Sequence, residues 1–351
     1  MKNITLDNYV VIFEDKLDFL IEFIAEKGYS SVFILTDHQT EQLCKPLLNL
    51  PDAISIEIPE GESFKNLDTC QEVWEMLLKC GADRKSLLIN LGGGVIGDMG
   101  GFIASCYMRG IDFIQVPTTL LSQVDASVGG KLAIDFKYAK NLIGLFKDPV
   151  LVFIHDKFLQ TLPEQQYLNG WAEIFKHALI ADKQLWNEIK LLSNLRKVDI
   201  QDIVFKNVTI KSEVVRADPF ERGRRKILNF GHTIGHAIEA LSLKNDEHPL
   251  LHGEAVVIGI ICEAFLSHQY GTLHEDELEE IIRVLQHHYT GYPLNKLPFS
   301  EIWNFMLMDK KNNKGAVLAC LLDSIGQASW DHEISEEQLK EAIQFYIQIF
   351  R

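Results

Sequence analysis

Ser86-Leu87-Leu88-Ile89-Asn90-Leu91-Gly92-Gly93-Gly94-Val95-Ile96-Gly97-Asp98 is the stretch that decides the fold. An apolar run of strand length enters glycines and leaves on a helical pattern reaching Met108. At such a junction an α/β sheet offers backbone N–H groups and a helix N-terminus to a pyrophosphate. Gly93 and Gly94 carry no side chain to hold a phosphate off the backbone. The run is neither GxGxxG nor a P-loop, so a tight turn that needs glycine for steric reasons is the competing reading. Asp98 then hydrogen-bonds a ribose or hydroxyl, or else caps the helix.

Upstream, Ser31–Asp37 is a short apolar run ending in an acid, followed by a helical stretch to about Leu50 and a second run, Ile54–Pro59. Gly61-Glu62-Ser63-Phe64-Lys65 opens a helix to about Cys80. Downstream, Asp112–Thr119 is a further strand whose end carries Thr118 and Thr119, candidate nucleotide contacts. Strands alternating with helices predict a parallel α/β sheet. Gln123–Asp135 and Lys140–Gly144 read as an extended hairpin carrying Asp125, Lys131, Lys140 and Asn141; for the lysines the plain alternative is solvation. From about Phe158 the pattern turns helical, which places an α/β domain over 1–157 and a mainly α domain over 158–351.

At 351 residues and 47% hydrophobic, the chain is long enough for two cores. A formal net charge of -15 argues against nucleic-acid binding, which needs an excess of Lys and Arg on one face. The six cysteines are scattered, without a CxxC pair, as thiols of a reducing compartment are. No apolar run has membrane-spanning length, and Met1–Asp7 lacks a basic and then apolar leader, so a cytoplasmic location is expected.

In the second domain, Glu173, Lys176 and His177 share one helix face among Ala172, Ile174, Phe175, Ala178 and Leu179. A Glu in that company requires a metal or another cation. Arg225–Glu239 reads as a helix with one polar face, on which His232 and His236 look the same way. By spacing alone they form the metal-chelating pair, with His252 or an acid completing a zinc-like site; a core or capping role is the alternative for any single His. Lys211, Glu221 and Arg224 precede this stretch, Glu277-Leu278-Glu279-Glu280 reads as a solvated face, and Asp309–Gly315 as a basic turn.

Six blocks then combine: Gly-Gly-Gly-Val-Ile-Gly-Asp at 92–98, Pro-Thr-Thr-Leu-Leu at 117–121, Gln-Val-Asp-Ala-Ser-Val-Gly-Gly-Lys at 123–131, Ala-Glu-Ile-Phe-Lys at 172–176, Asn-Phe-Gly-His-Thr-Ile-Gly-His at 229–236 and His-Gly-Glu-Ala-Val at 252–256. In this order, over nearly the whole chain, they resemble the 3-dehydroquinate synthase family. The resemblance implies a Rossmann-like NAD domain, a helical metal and substrate domain, and an active site between them. It implies Glu173, His232 and His252 as ligands of one divalent ion, zinc or cobalt, with His236 in the catalytic pocket instead.

The same resemblance implies NAD contacts at Asp37, Glu62, Lys65, Gly93, Gly94, Asp98, Thr118, Thr119, Leu121, Phe158, Thr161 and Leu162, with Lys140 at the edge of the cofactor and substrate sets. Substrate groups are implied at Asp125, Lys131, Asn141, Lys176, Lys211, Arg225, Asn229 and His236, with Glu221 nearby and a lysine of the 310–311 pair. Arg109 matches an arginine donated across a homodimer interface. Leu132-Ala133 replaces the usual Thr-Gly, and a position needing positive φ would be strained by Ala133.

The implied substrate is 3-deoxy-D-arabino-heptulosonate 7-phosphate, whose carboxylate and phosphate explain cations gathered in an acidic chain. The implied reaction is oxidation by NAD, β-elimination of phosphate, return of the hydride, ring opening and aldol closure. Another sugar-phosphate cyclase, a metal-dependent polyol dehydrogenase of the same fold, and a non-catalytic binding paralogue are the rivals.

Overall fold

The computed structural model describes residues 2–14, 16–137, 139–308 and 316–351. The strands are β1 (Lys2–Thr5), β2 (Val10–Phe13), β3 (Val32–Asp37), β4 (Ile54–Ile58), β5 (Leu87–Gly92), β6 (Asp112–Pro117), β7 (Lys131–Phe136), β8 (Ala139–Phe146), β9 (Leu151–Ile154), β10 (Val317–Ser324) and β11 (Gln327–Ile334). The chain divides into two compact units, Met1–Tyr167 with Asp199–Ser212, and Leu168–Val198 with Glu213–Arg351.

The first unit is built on a seven-stranded sheet in the order β1-β2-β9-β6-β5-β3-β4. Every neighbouring pair is parallel except β1 with β2. Successive residues of β5 face opposite sides: Leu88 joins a core with Leu35, Ile96, Met99, Ile103 and Phe113, while Leu87, Ile89 and Leu91 join one with Ile34, Ile114, Leu151 and Phe153. A strand buried on both faces is a near-continuous apolar run, here interrupted only by Asn90, which is why this stretch stands out in the sequence. From β3 the chain steps outward to β4, then crosses back to β5 and continues through β6 to β9. The ends of β3 and β5 therefore flank the point where strand order reverses, the place at which open α/β sheets bind nucleotides.

Several local expectations are corrected. The stretch after β3 is two helices, His38–Leu43 and Lys45–Leu48, broken at Cys44 and ended by Asn49 at φ 48°. The glycine-loop helix stops at Cys106 and not at Met108. Met108 and Arg109 have φ of 49° and 70°, and Gly110 at 114° turns the chain into β6. Asp125 is not on the hairpin: it lies in a π-helical turn, Ser122–Ala126, started by Thr119 and Ser122 bonding each other's backbone and hydroxyl groups. Ala133 pairs with Gly144 in the β7–β8 register and is not among the residues with positive φ, so the expected strain is absent there. The turn at 309–315, with Lys310 and Lys311, lies outside the described residues.

The second unit packs around the helix His252–Tyr270, which is buried on nearly every side, with Val256, Val257, Ile260, Ile261, Cys262 and Leu266 in the core. The sequence from Arg225 is not one helix. A 3-10 segment, Arg224–Asn229, leads to Gly231 at φ 78°, and the α-helix is His232–Asn245. The acidic face at Glu277–Glu280 is more than solvated: Glu280 accepts from Trp186 Nε1 at 2.7 Å and Lys190 Nζ at 2.8 Å, and Glu277 pairs with Lys183 at 3.0 Å. These contacts fix the helix Glu275–His288 against Lys183–Ile189.

Phe153 is fully buried in β9 and stacks on Phe19 with ring centroids 6.2 Å apart. Phe153→Ala is expected to cost about 3–5 kcal/mol of stability in chemical denaturation. A loss below about 1 kcal/mol would contradict a close-packed core at this position.

Candidate functional site

At the switch point of the first unit, Gly93 is the N-cap of the helix Gly94–Cys106 and supplies no side chain to its free N–H groups. Those groups at a helix N-terminus attract an anion. Asp37, at the end of β3, is engaged as a helix cap, its Oδ1 accepting from Thr40 N at 2.8 Å. Thr118 donates its N–H to Gly92 O, closing the glycine loop against β6. Thr119 and Leu121 open the π-helical turn, which Gln123 anchors by donating to Pro117 O and His155 O. Beyond β9, Phe158 is buried edge-on to His155, Thr161 is exposed, and Leu162 N donates to Leu159 O.

Lys65 ties three elements of this unit together. Its buried ammonium donates to Asp98 Oδ2 at 2.7 Å and to Asn141 Oδ1 at 2.6 Å, and Glu62 lies 3.9 Å away. Burial opposes its charge, yet Asp98 and Glu62 hold its pKa above the ordinary lysine value. Asp98 is thus an ion-pair partner and not a helix cap. Asn141, left-handed at φ 51°, donates its backbone N–H to Asp135 Oδ1 at 2.7 Å; Asn tolerates that conformation better than most residues. Lys211, on the helix Ile200–Ala217, donates to the Asp125 backbone oxygen at 2.5 Å and to Oδ1 at 2.6 Å. Lys131, Lys140 and Arg109 are exposed. Arg109 follows the helix end opposite the glycine loop, about 20 Å along its axis.

The second unit carries the imidazole and carboxylate cluster. Glu173 has no exposure, and neither of its oxygens accepts a hydrogen bond of good geometry from the described residues. Its Oε1 stands 3.2 Å from His232 Nε2 and 3.5 Å from His252 Nε2, and its Oε2 pairs with Lys176. Ligand atoms held tetrahedrally by zinc at its usual bond lengths are about 3.4 Å apart, and the two distances from Glu173 Oε1 have that spacing. The opposite ring nitrogens are already committed: His232 Nδ1 meets Phe230 O and His252 Nδ1 meets Glu239 Oε2, each at 3.1 Å. Such outer partners fix which nitrogen faces a metal. His236 lies beside this group, its ring centroid 5.0 Å from that of His232, and the ligand atoms of His232, His236 and His252 also fall within 4.8 Å of one another.

The electrostatics separate the two imidazoles. Burial and the Lys176 ammonium push His232 down to about 4. His252 rises to about 10 against its burial because the Glu173 and Glu239 carboxylates flank its two ring nitrogens. Burial would raise the Glu173 carboxyl, but Lys176 and His232 hold it well below the ordinary range.

Arg225, Glu221 and Asn229 belong to one loop. Arg225 is buried and donates from Nη1 to Pro219 O at 2.7 Å, and Asn229 Nδ2 donates to Glu221 Oε1 at 2.7 Å. Asp218 organises this loop by accepting the backbone N–H groups of Arg222, Gly223 and Arg225. Asp218 and Glu239 are not among the residues to which the sequence assigns a role. Glu239 was findable, since it sits seven residues from His232 on the same helix face; nothing local marked Asp218.

Residues 55–169 match the family described as 3-dehydroquinate synthase N-terminal and residues 170–312 the one described as 3-dehydroquinate synthase C-terminal. The 3-dehydroquinate synthase of Parabacteroides distasonis is 37% identical over 97% of this chain and 98% of its own length. Among solved structures, a 2-deoxy-scyllo-inosose synthase complexed with carbaglucose-6-phosphate, NAD+ and Co2+ superposes with a TM-score of 0.88 at 25% identity, covering 98% of this chain and 99% of that one. The 2-epi-5-epi-valiolone synthase of Streptomyces hygroscopicus, with NAD+ and Zn2+ bound, gives 0.85 at 25% identity and 99% of both chains. With a nucleotide-type switch point, a buried carboxylate facing two imidazoles, and matches that run through both halves, the chain belongs to the 3-dehydroquinate synthase family.

Proposed function

We propose that the chain converts 3-deoxy-D-arabino-heptulosonate 7-phosphate to 3-dehydroquinate and phosphate, as a carbon–oxygen lyase that needs NAD and one divalent ion. The observation that carries this reading is the convergence of His232 and His252 on one oxygen of a buried Glu173, in a chain whose relative of near-equal length is a 3-dehydroquinate synthase. Glu173, His232 and His252 would hold the ion, and the glycine loop with Lys65 and Asp98 would hold the cofactor. When bound, NAD accepts and returns a hydride, and the ion polarises the oxygen being oxidised.

The remaining work falls to the chain's own side chains. Lys131, Lys176, Lys211 and Arg225 are assigned to the anionic groups of the substrate, where charge-assisted bonds are strongest. Arg225 is held for this by the Asp218 loop. Asn229, oriented by Glu221, would fix a hydroxyl, and His236 would hold or release a proton. The assembly proposed is a cytoplasmic homodimer in which Arg109 serves the neighbouring subunit: it is exposed and lies a helix length from its own glycine loop. No helix among the described residues is long and apolar enough to cross a membrane.

Glu173→Gln should lower zinc affinity about 100-fold, whereas His236→Asn should keep the metal and slow turnover by about 100-fold or more. Elemental analysis and phosphate release read the two effects, and the reverse pattern would make His236 a ligand. Phosphate release in the presence of NAD should continue while absorbance at the NADH band stays flat. Stoichiometric NADH would instead identify a polyol dehydrogenase, and faster turnover of a sugar phosphate lacking the carboxylate would identify a different cyclase.

Arg109→Ala and Lys176→Met should each be nearly inactive, yet mixing them with subunit exchange should restore roughly a quarter of wild-type activity. Half of the dimers are then mixed, and each has one site with both groups intact. No recovery after exchange confirmed by a tag would leave Arg109 as a structural or same-chain residue.

A further inference from the structure

Neither histidine-bearing helix begins with a residue that can cap it. The helix His232–Asn245 starts from Gly231, which has no side chain, and the helix His252–Tyr270 starts from Leu251, whose side chain accepts nothing and whose own N–H goes to Glu254 Oε2 of the same helix at 2.7 Å. Free N–H groups at a buried helix start need acceptors. Here buried side chains of neighbouring helices provide them. Glu263, fully buried on His252–Tyr270, accepts Gly231 N–H through Oε2 at 2.7 Å and Ile234 N–H through Oε1 at 3.1 Å. Those two N–H groups bracket His232. Asn169, one turn before Glu173, accepts Gly253 N–H at 2.5 Å, immediately after His252.

The links form a chain: the helix of Glu173 grips the start of the helix of His252, which grips the start of the helix of His232. The helices also meet closely at glycines. A Cβ on Gly253 would lie 2.2 Å from Asn169 O, and one on Gly259 would lie 1.8 Å from Gly231 O. With backbones this close, the depth and rotation of each helix are set by the acceptor that takes its first N–H groups. A carboxylate also suits a helix N-terminus electrostatically.

We propose that Glu263 and Asn169 are positioning residues of the metal centre, capping the two histidine-bearing helices from adjacent helices and thereby setting where the His232 and His252 ring nitrogens stand relative to Glu173. This rests on the ligand assignment above. Neither residue touches the ion. Their effect travels through a helix terminus whose first residue is a ligand, so a displacement of the terminus carries that ligand's backbone with it.

Glu263→Gln preserves the side chain's size but leaves one of the two N–H groups facing an amide NH2. In the chelator-treated full-length protein, Zn2+ affinity measured by competition with a chromophoric chelator should fall about 10- to 100-fold, the usual effect of losing an outer partner. The visible absorption bands of the Co2+-loaded variant should shift, because ligand placement has changed, while NAD binding is unaltered. Asn169→Ala should act in the same direction and carries the test if the Glu263 variant does not fold. A folded variant with wild-type Zn2+ affinity and an unchanged Co2+ spectrum overturns the proposal, as does a loss of NAD binding equal to the loss of metal. Glu173→Gln is measured alongside: wild-type affinity there would mean that the ligand assignment had failed and not the positioning role.

Discussion

A carboxylate with no exposure, set among Trp171, Ala172, Ile174 and Phe175, is the constraint on which the second unit depends. Removing such an ion from water costs several kcal/mol unless cations and hydrogen bonds return it. Glu173 receives no well-aligned hydrogen bond among the described residues, so cationic neighbours must stabilise it. Lys176 supplies one, one turn along the same helix. The rest has to come from other helices, which must approach closely enough for imidazoles to meet Oε1. Close approach explains the glycines at the helix contacts, and the loss of side chains there explains why the helix starts are capped from outside.

The first unit solves the opposite problem. It must attract anions while the chain as a whole carries a formal charge of -15. Its buried cations are held ready by acids: Lys65 by Asp98 and Lys211 by Asp125. Pairing keeps the ammonium charged in a dry setting and fixes its position, and local placement outweighs net charge in what an arriving anion feels. The glycine loop adds donors that need no counter-charge, since a helix N-terminus offers only N–H groups.

Legibility in the sequence followed the range of the interaction. The sheet was readable because β5 is buried on both faces and is apolar at every position before the glycines except Asn90. The shared face of Glu173, Lys176 and His177 was readable because it depends on spacing within one helix. Helix ends were read less well: the stop at Cys106 depends on the left-handed residues Met108 and Arg109, which no propensity favours. The π-helical turn at Asp125 depends on Thr119 and Ser122 bonding each other, and polar residues after a strand do not announce that geometry. Spacing alone paired His232 with His236. It could not show that a carboxylate 59 residues upstream presents one oxygen to His232 and His252. Nor could it show that Asp199–Ser212 belongs with the first unit, because a helix carries no local sign of the core it joins.

The charges around Glu173 also set what the centre can hold. Glu173 and Glu239 are balanced by Lys176 and by His252, which those carboxylates raise well above the ordinary histidine range, while burial and Lys176 push His232 below it. The cluster is then close to neutral, which is what burial demands. On the ligand assignment proposed above, a divalent ion would displace the His252 proton to reach its nitrogen, because a metal ligand has to be deprotonated. Two positive charges would then replace one, leaving a single excess positive charge in a setting that penalises it. An oxygen bearing one negative charge restores the balance, whereas a neutral hydroxyl does not. Glu239 is what makes this so: without its carboxylate the excess would be two, and the ion itself would be held less firmly. On that assignment, the outer partner of one histidine would match the centre to an anionic oxygen of the kind that develops when a hydroxyl group is oxidised.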